Sequence, residues 1–129
     1  MGQYFRFVNV TKEEYVDPWD IGGGAKLWEW CVNKEAGIFP YLLRKSNESG
    51  GGDLNDIAAA KYAGRWAGDK LYLVGDYDES RLWEKAEKQY RNISLELGKE
   101  YNGFVELESN QLKPLKIRRR EVKQKEQTD

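Results

Sequence analysis

Chemistry in this chain has to come from carboxylates, lysines, arginines, hydroxyls and aromatics, because the 129 residues include no histidine. That removes Ser-His and Cys-His nucleophile activation, His-ligated zinc and the usual acid–base group near neutral pH. The single cysteine, Cys31, excludes an intramolecular disulfide and a cysteine-based metal cluster. Several constellations remain. Gly22-Gly23-Gly24-Ala25-Lys26 precedes a helical pattern. Backbone N–H groups at a glycine-rich helix start, with a lysine, can hold a phosphate, although the spacing is neither a P-loop nor a dinucleotide fingerprint. The same glycines also suit a turn that lets a strand and a helix pack closely. Arg65-Trp66 beside Asp69 can form a stacking and anion-binding corner, or else a core tryptophan with its arginine paired to a carboxylate.

Asp76 and Asp78 leave a strand with one residue between them and can share Mg²⁺ or Ca²⁺ through oxygen. The alternative is that Asp78 and Glu79 favour a helix N-terminus electrostatically. Trp19, beside Asp17-Pro18 and the glycines, is an aromatic with no evident element to bury it, which hints at a binding surface. Trp28 and Trp30 fall on different faces of one helical stretch, so one packs inward and the other is half exposed or meets a partner.

The elements that must position these residues follow from periodicity and turn chemistry. Gln3–Val10 alternates as a first strand, with Tyr4, Arg6 and Val8 on one face and Phe5, Phe7 and Asn9 on the other. Tyr15-Val16 is a short return strand ended by Pro18. Ala25–Val32 reads as a helix with Leu27, Trp28, Cys31 and Val32 at helical spacing. Ile38–Lys45 reads as a second helix with Pro40 in its first turn and Ile38, Phe39, Leu42 and Leu43 buried. Ser46–Asp56 is a polar loop, and Ile57–Lys61 suits helix or strand. Ala67-Gly68-Asp69 is a turn that folds Tyr62–Trp66 back on a strand at Lys70–Val74. Glu79–Gln89 is amphipathic, with Leu82, Trp83 and Ala86 on one side. Leu95–Tyr101 is a further helix, capped by Asn92 or Ser94 and ended by Asn102-Gly103, before a last strand at Phe104–Leu107.

This order predicts a small α+β domain over residues 1–108, an antiparallel sheet with a central hairpin covered by three or four helices. Residues 109–129 form a charged basic tail. Residues 113–129 carry a net +4 against −5 for the rest, a weak pointer to an interaction tail. Arg118-Arg119-Arg120 and the neighbouring lysines can touch nucleic acid, but interleaved Glu121 and Glu126 and the lack of aromatics favour a solvated tail.

Met1-Gly2-Gln3-Tyr4, Val8-Asn9, Glu14-Tyr15, Gly24-Ala25-Lys26-Leu27-Trp28-Glu29, Gly64-Arg65-Trp66-Ala67-Gly68-Asp69 and Gly75-Asp76-Tyr77 together resemble a family of small uncharacterised proteins spread over bacteria, fungi and large viruses. The likeness spans roughly residues 1–103 and implies no activity, cofactor or catalytic residue. It leaves the tail uncovered.

No apolar run approaches the roughly 20 residues of a membrane span, and the start lacks signal-peptide architecture, so a cytoplasmic location is expected. Three functions fit. The first is a non-enzymatic binding module for a small anionic or nucleotide-like ligand, using Trp19, Gly22, Gly23, Gly24, Lys26, Arg65, Trp66 and Asp69. The second is an interaction, inhibitor or accessory protein whose ligand is another protein. The third is a metal-dependent hydrolase using Asp76 and Asp78. The sequence names no cofactor.

Overall fold

A computed structural model describes residues 3–46, 60–108 and 114–118. The expected loop over Ser46–Asp56 lies almost wholly outside these residues, as do most of Ile57–Lys61 and the charged run beyond Arg118.

Alternating residues in the first segment build β1 (Phe5–Asn9), which pairs antiparallel with β2 (Glu14–Val16) and with β3 (Leu71–Gly75). The sheet is closed on its other side by the two-residue β4 (Arg91–Asn92), parallel to β2, so the order is β3-β1-β2-β4 and the sheet is mixed. The helices are α1 (Leu27–Val32), α2 (Ile38–Leu43), α3 (Leu82–Gln89) and α4 (Ser94–Glu108). The result is a small single α+β domain.

The two-residue period of β1 sends alternate side chains into two cores. Phe7 joins Val16, Trp30, Ile38, Leu42, Trp66 and Leu97 under α1, α2 and α4. Val8 joins Tyr15, Val74 and Ala86 under α3, with Leu82 and Trp83 packed against them. Arg6 shares that second face, and its guanidinium lies 3.7 Å from the Trp83 ring centroid and 5.0 Å from that of Tyr15. Burying a cation there relies on the electron-rich ring faces.

The central hairpin is β1–β2, and the pairing of Tyr62–Trp66 with Leu71–Gly75 does not form. The reason is where the backbone donors of that segment go. Gly64 N–H and Trp66 N–H donate to Tyr41 O (2.8 Å) and Leu42 O (3.0 Å), carbonyls left open at the end of α2. Lys61, Tyr62 and Ala63 N–H all donate to the carboxylate of Glu100, which also accepts from the Tyr41 hydroxyl at 2.6 Å. No donors are left for a ladder, and residues 61–68 run as turns.

Two further expectations fail at the C-terminal side. α4 runs straight through Asn102-Gly103 and Phe104, so there is no strand at Phe104–Leu107. Asn102 caps nothing; its amide donates to Leu115 O (2.9 Å) and accepts from Leu115 N–H (2.8 Å), as a neighbouring strand would. Residues 114–118 are therefore part of the domain and not of a solvated tail. Leu115 is buried in the main core, Ile117 packs against it, and Arg118 N–H donates to Asp20 O. Gly98 admits this segment, since a Cβ there would stand 2.4 Å from Ile117 Cδ1.

Candidate functional site

The Arg65-Trp66 corner is built around a carboxylate of the protein itself. Trp66 is fully buried, and its indole N–H donates to Glu14 Oε1 at 2.8 Å. Arg65 Nε lies 3.0 and 3.1 Å from the two Glu14 oxygens, and Nη2 lies 2.5 Å from Oε2. Burial pushes the Glu14 carboxyl up, but the bonds from Arg65 and Trp66 and the charges of Arg65 and Arg91 outweigh it, so it titrates below its ordinary 4.5. Asp69 is similarly occupied, accepting from Asn9 Nδ2 (2.8 Å) and Lys12 Nζ (2.7 Å), and these contacts lower its pKa. The Gly-Arg-Trp-Ala-Gly-Asp stretch is thus an internal lock. Gly64 and Gly68 take φ of 76° and 84° to turn the chain through it.

The glycine loop faces carboxylates. A Cβ on Gly23 would meet Glu35 Oε2 at 2.4 Å, and one on Gly24 would meet Glu29 Oε1 at 2.2 Å. Glu29 Oε1 also accepts from Lys26 N–H at 3.0 Å. Gly23 N–H donates to Pro18 O at 2.9 Å, and Gly22 has φ of 82° with Lys116 O in the way of any Cβ. Gly22 needs to be glycine for its positive φ and its approach to the backbone of residue 116, while Gly23 and Gly24 leave room for the Glu35 and Glu29 side chains. Neighbouring negative charge opposes an incoming anion. Trp19 sits half-buried in the 3₁₀ turn Pro18–Ile21, edge-on to Tyr4 at 5.5 Å.

The Asp76/Asp78 pair is split. Asp76 Oδ1 accepts from Tyr4 N–H (3.1 Å), while Asp78 Oδ2 accepts from Ser80 N–H (3.0 Å) and the Ser80 hydroxyl. Ser80 Oγ in turn accepts from Leu82 N–H at 3.2 Å, which starts α3 three residues later than the sequence suggests. Among the described residues no group of three or more metal-ligating side chains comes together.

The pKa shifts of the carboxylates and of the tyrosines run in opposite directions, and Arg65 is raised by its bonds to Glu14. Glu14, Asp69, Asp78 and Glu96 are lowered, while Tyr15, Tyr41, Tyr62 and Tyr101 are raised, in each tyrosine chiefly by burial.

What the fold leaves open is α1. The expected apolar stripe points outward: Leu27 is 52 % exposed, Trp28 61 % and Val32 68 %, with Cys31 also exposed. The buried residue is Trp30. Its indole N–H donates to Phe5 O at 2.9 Å, and Phe5 N–H donates to Ala25 O at 2.7 Å. β2 is too short to reach Phe5, so the loop before α1 and the Trp30 side chain complete that end of β1. The bond fixes the rotation of α1 and hence its outward stripe. A second opening, a groove of about 500 Å³, runs beside β3 between Phe5, Tyr72, Val74 and the start of α3 at Ser80, Leu82 and Lys85.

No family model, curated protein or solved structure matches this chain.

Proposed function

We propose that this chain is a protein-interaction module that inserts the outer face of α1 into an apolar groove of a partner protein. One observation carries it: Leu27, Trp28 and Val32 stand exposed on a helix that the Trp30–Phe5 bond prevents from turning them inward. Contiguous exposed apolar surface marks contact sites, and tryptophan is prominent among residues that dominate binding energy. Positions 27, 28, 31 and 32 give the one-sided stripe of a helix-in-groove ligand. An exposed free thiol on the same face suits the reducing cytoplasm. The anionic-ligand reading has less support, because Arg65, Trp66 and Asp69 are committed internally and the glycine loop faces Glu29 and Glu35. No described helix is long and apolar enough to cross a membrane.

The test is affinity purification of wild type, Trp28→Asp and Lys88→Asp from cells that make the protein. A stoichiometric partner retained by Lys88→Asp and lost by Trp28→Asp is expected. The same co-purifying set from all three would refute the proposal.

A further inference from the structure

β3 is the outermost strand, and among the described residues no strand pairs with its outer edge. Its ladder with β1 fixes which backbone groups face out. Asp76 N–H donates to Tyr4 O (3.0 Å) and Val10 N–H to Lys70 O (3.1 Å), so the even-numbered residues address β1. By the two-residue period, Leu71, Leu73 and Gly75 direct their N–H and C=O groups away from the sheet. Leu71–Gly75 contains no charge and no proline, and its register with β1 is continuous from Phe5↔Gly75 to Asn9↔Leu71. The devices that usually blunt a free edge are missing from this strand.

We propose that β3 pairs antiparallel with β3 of a second copy of this chain, about a two-fold axis at Leu73, joining the two sheets into one. Charge selects the occupant and the register. With Leu73 opposite Leu73, Lys70 of each copy lies opposite Asp76 of the other, so two opposite-charge pairs flank an apolar centre. Leu71 then meets Gly75, and the outward-facing groups of one strand meet those of the other; Gly75 O already accepts from Asp78 N–H, so about four backbone hydrogen bonds form. Slipping the register toward the strand start sets Lys70 against Val74 and loses both pairs. Slipping it the other way runs into the turn closed by Asp78 N–H on Gly75 O (3.1 Å).

The same register places Tyr72, which is 45 % exposed, opposite Val74 of the other copy and on the same sheet face. Val74, Ser80, Leu82 and Lys85 line the groove on that side, so each copy receives the other's Tyr72 ring in its groove. The pairing closes on itself. The opposite edge of the sheet is the two-residue β4, too short to continue a ladder, so a two-fold dimer forms and not a filament. The contact is small, so the dimer is reversible.

Sedimentation velocity over a wide concentration range tests this. The mass of the full chain should rise toward twice its 15.0 kDa. Lys70→Glu and Asp76→Lys should each weaken the dimer by about tenfold or more, and the double exchange Lys70→Glu/Asp76→Lys should restore it. In a Cys31→Ser background, Lys70→Cys/Asp76→Cys should oxidise to a covalent dimer. Within one chain those positions are about 20 Å apart along the strand, beyond disulfide reach. A monomer at every concentration overturns the proposal, as does a dimer indifferent to the charge variants. A dimer abolished by Trp28→Asp also overturns it, by assigning self-association to α1. The α1 proposal stands or falls separately, on the partner that Trp28 retains.

Discussion

Replacing Glu14 tests whether the Arg65-Trp66 corner is a structural lock. The Glu14 side chain is 4 % exposed and that of Arg65 is 31 %. Glu14→Gln keeps one oxygen for the Trp66 indole but loses the charge that holds Arg65. A hydrogen bond to a charged group contributes roughly 1.5–3 kcal/mol, and the guanidinium recovers part of this by rehydrating, so about 2 kcal/mol is expected. Glu14→Ala also leaves the buried Trp66 N–H without an acceptor, adding roughly 1–3 kcal/mol, for a total of about 4 kcal/mol. Urea unfolding followed by tryptophan fluorescence should show these losses as lower midpoints at unchanged slope. Arg65→Met should cost less than Glu14→Ala, because it leaves the Trp66 bond in place. Glu14→Ala within about 0.5 kcal/mol of wild type would refute the lock, since surface substitutions fall in that range. So would phosphate stabilising the wild type as strongly as Glu14→Gln, because the lock leaves Arg65 available only once Glu14 is gone.

Because the folded Glu14 carboxyl is lowered below 4.5, its contribution is fully present above that pH and is lost as pH falls through the folded value, so acid unfolding should narrow the gap between wild type and Glu14→Gln. Gly64→Ala should destabilise by about 2 kcal/mol or more, because a Cβ there meets Arg44 O at 2.5 Å as well as the left-handed backbone cost. Gly68→Ala, with open space around it, should show only the backbone part, about 1 kcal/mol, in the same urea assay. Leu115→Ala should cost roughly 2–5 kcal/mol, a core value, whereas a residue in a solvated tail would cost nothing measurable.

Much of the frame was legible from period alone. β1 has apolar residues for two cores, and α3 carries Leu82, Trp83 and Ala86 on one side, so both take the packing their patterns imply. The alternative of a core Trp66 with Arg65 paired to a carboxylate was also readable, though the partner, Glu14, lies 52 positions from Trp66 and carries no local signal. Glu100 was hidden for the same reason, as one acidic residue among several on a helix surface. Periodicity placed Leu27, Trp28, Cys31 and Val32 on one stripe of α1 without saying which way it faces, and of the two tryptophans it is Trp30 that packs inward. A six-residue helix has too little area for burial to set its rotation, and one hydrogen bond from Trp30 decides it. β4 has only two residues, below any pattern. The docking of residues 114–118 left a faint mark, Leu115 and Ile117 two apart within a charged run, outweighed by the composition around them.

The proposed docking of α1 on another protein rests on the exposed Trp28. A photoreactive phenylalanine analogue at position 28, compared with the same analogue at Lys88 on α3, tests it in the cells that make the protein. A discrete adduct of one partner is expected at position 28 and none at 88. Position 28 giving no adduct, or the same adducts as position 88, would contradict it.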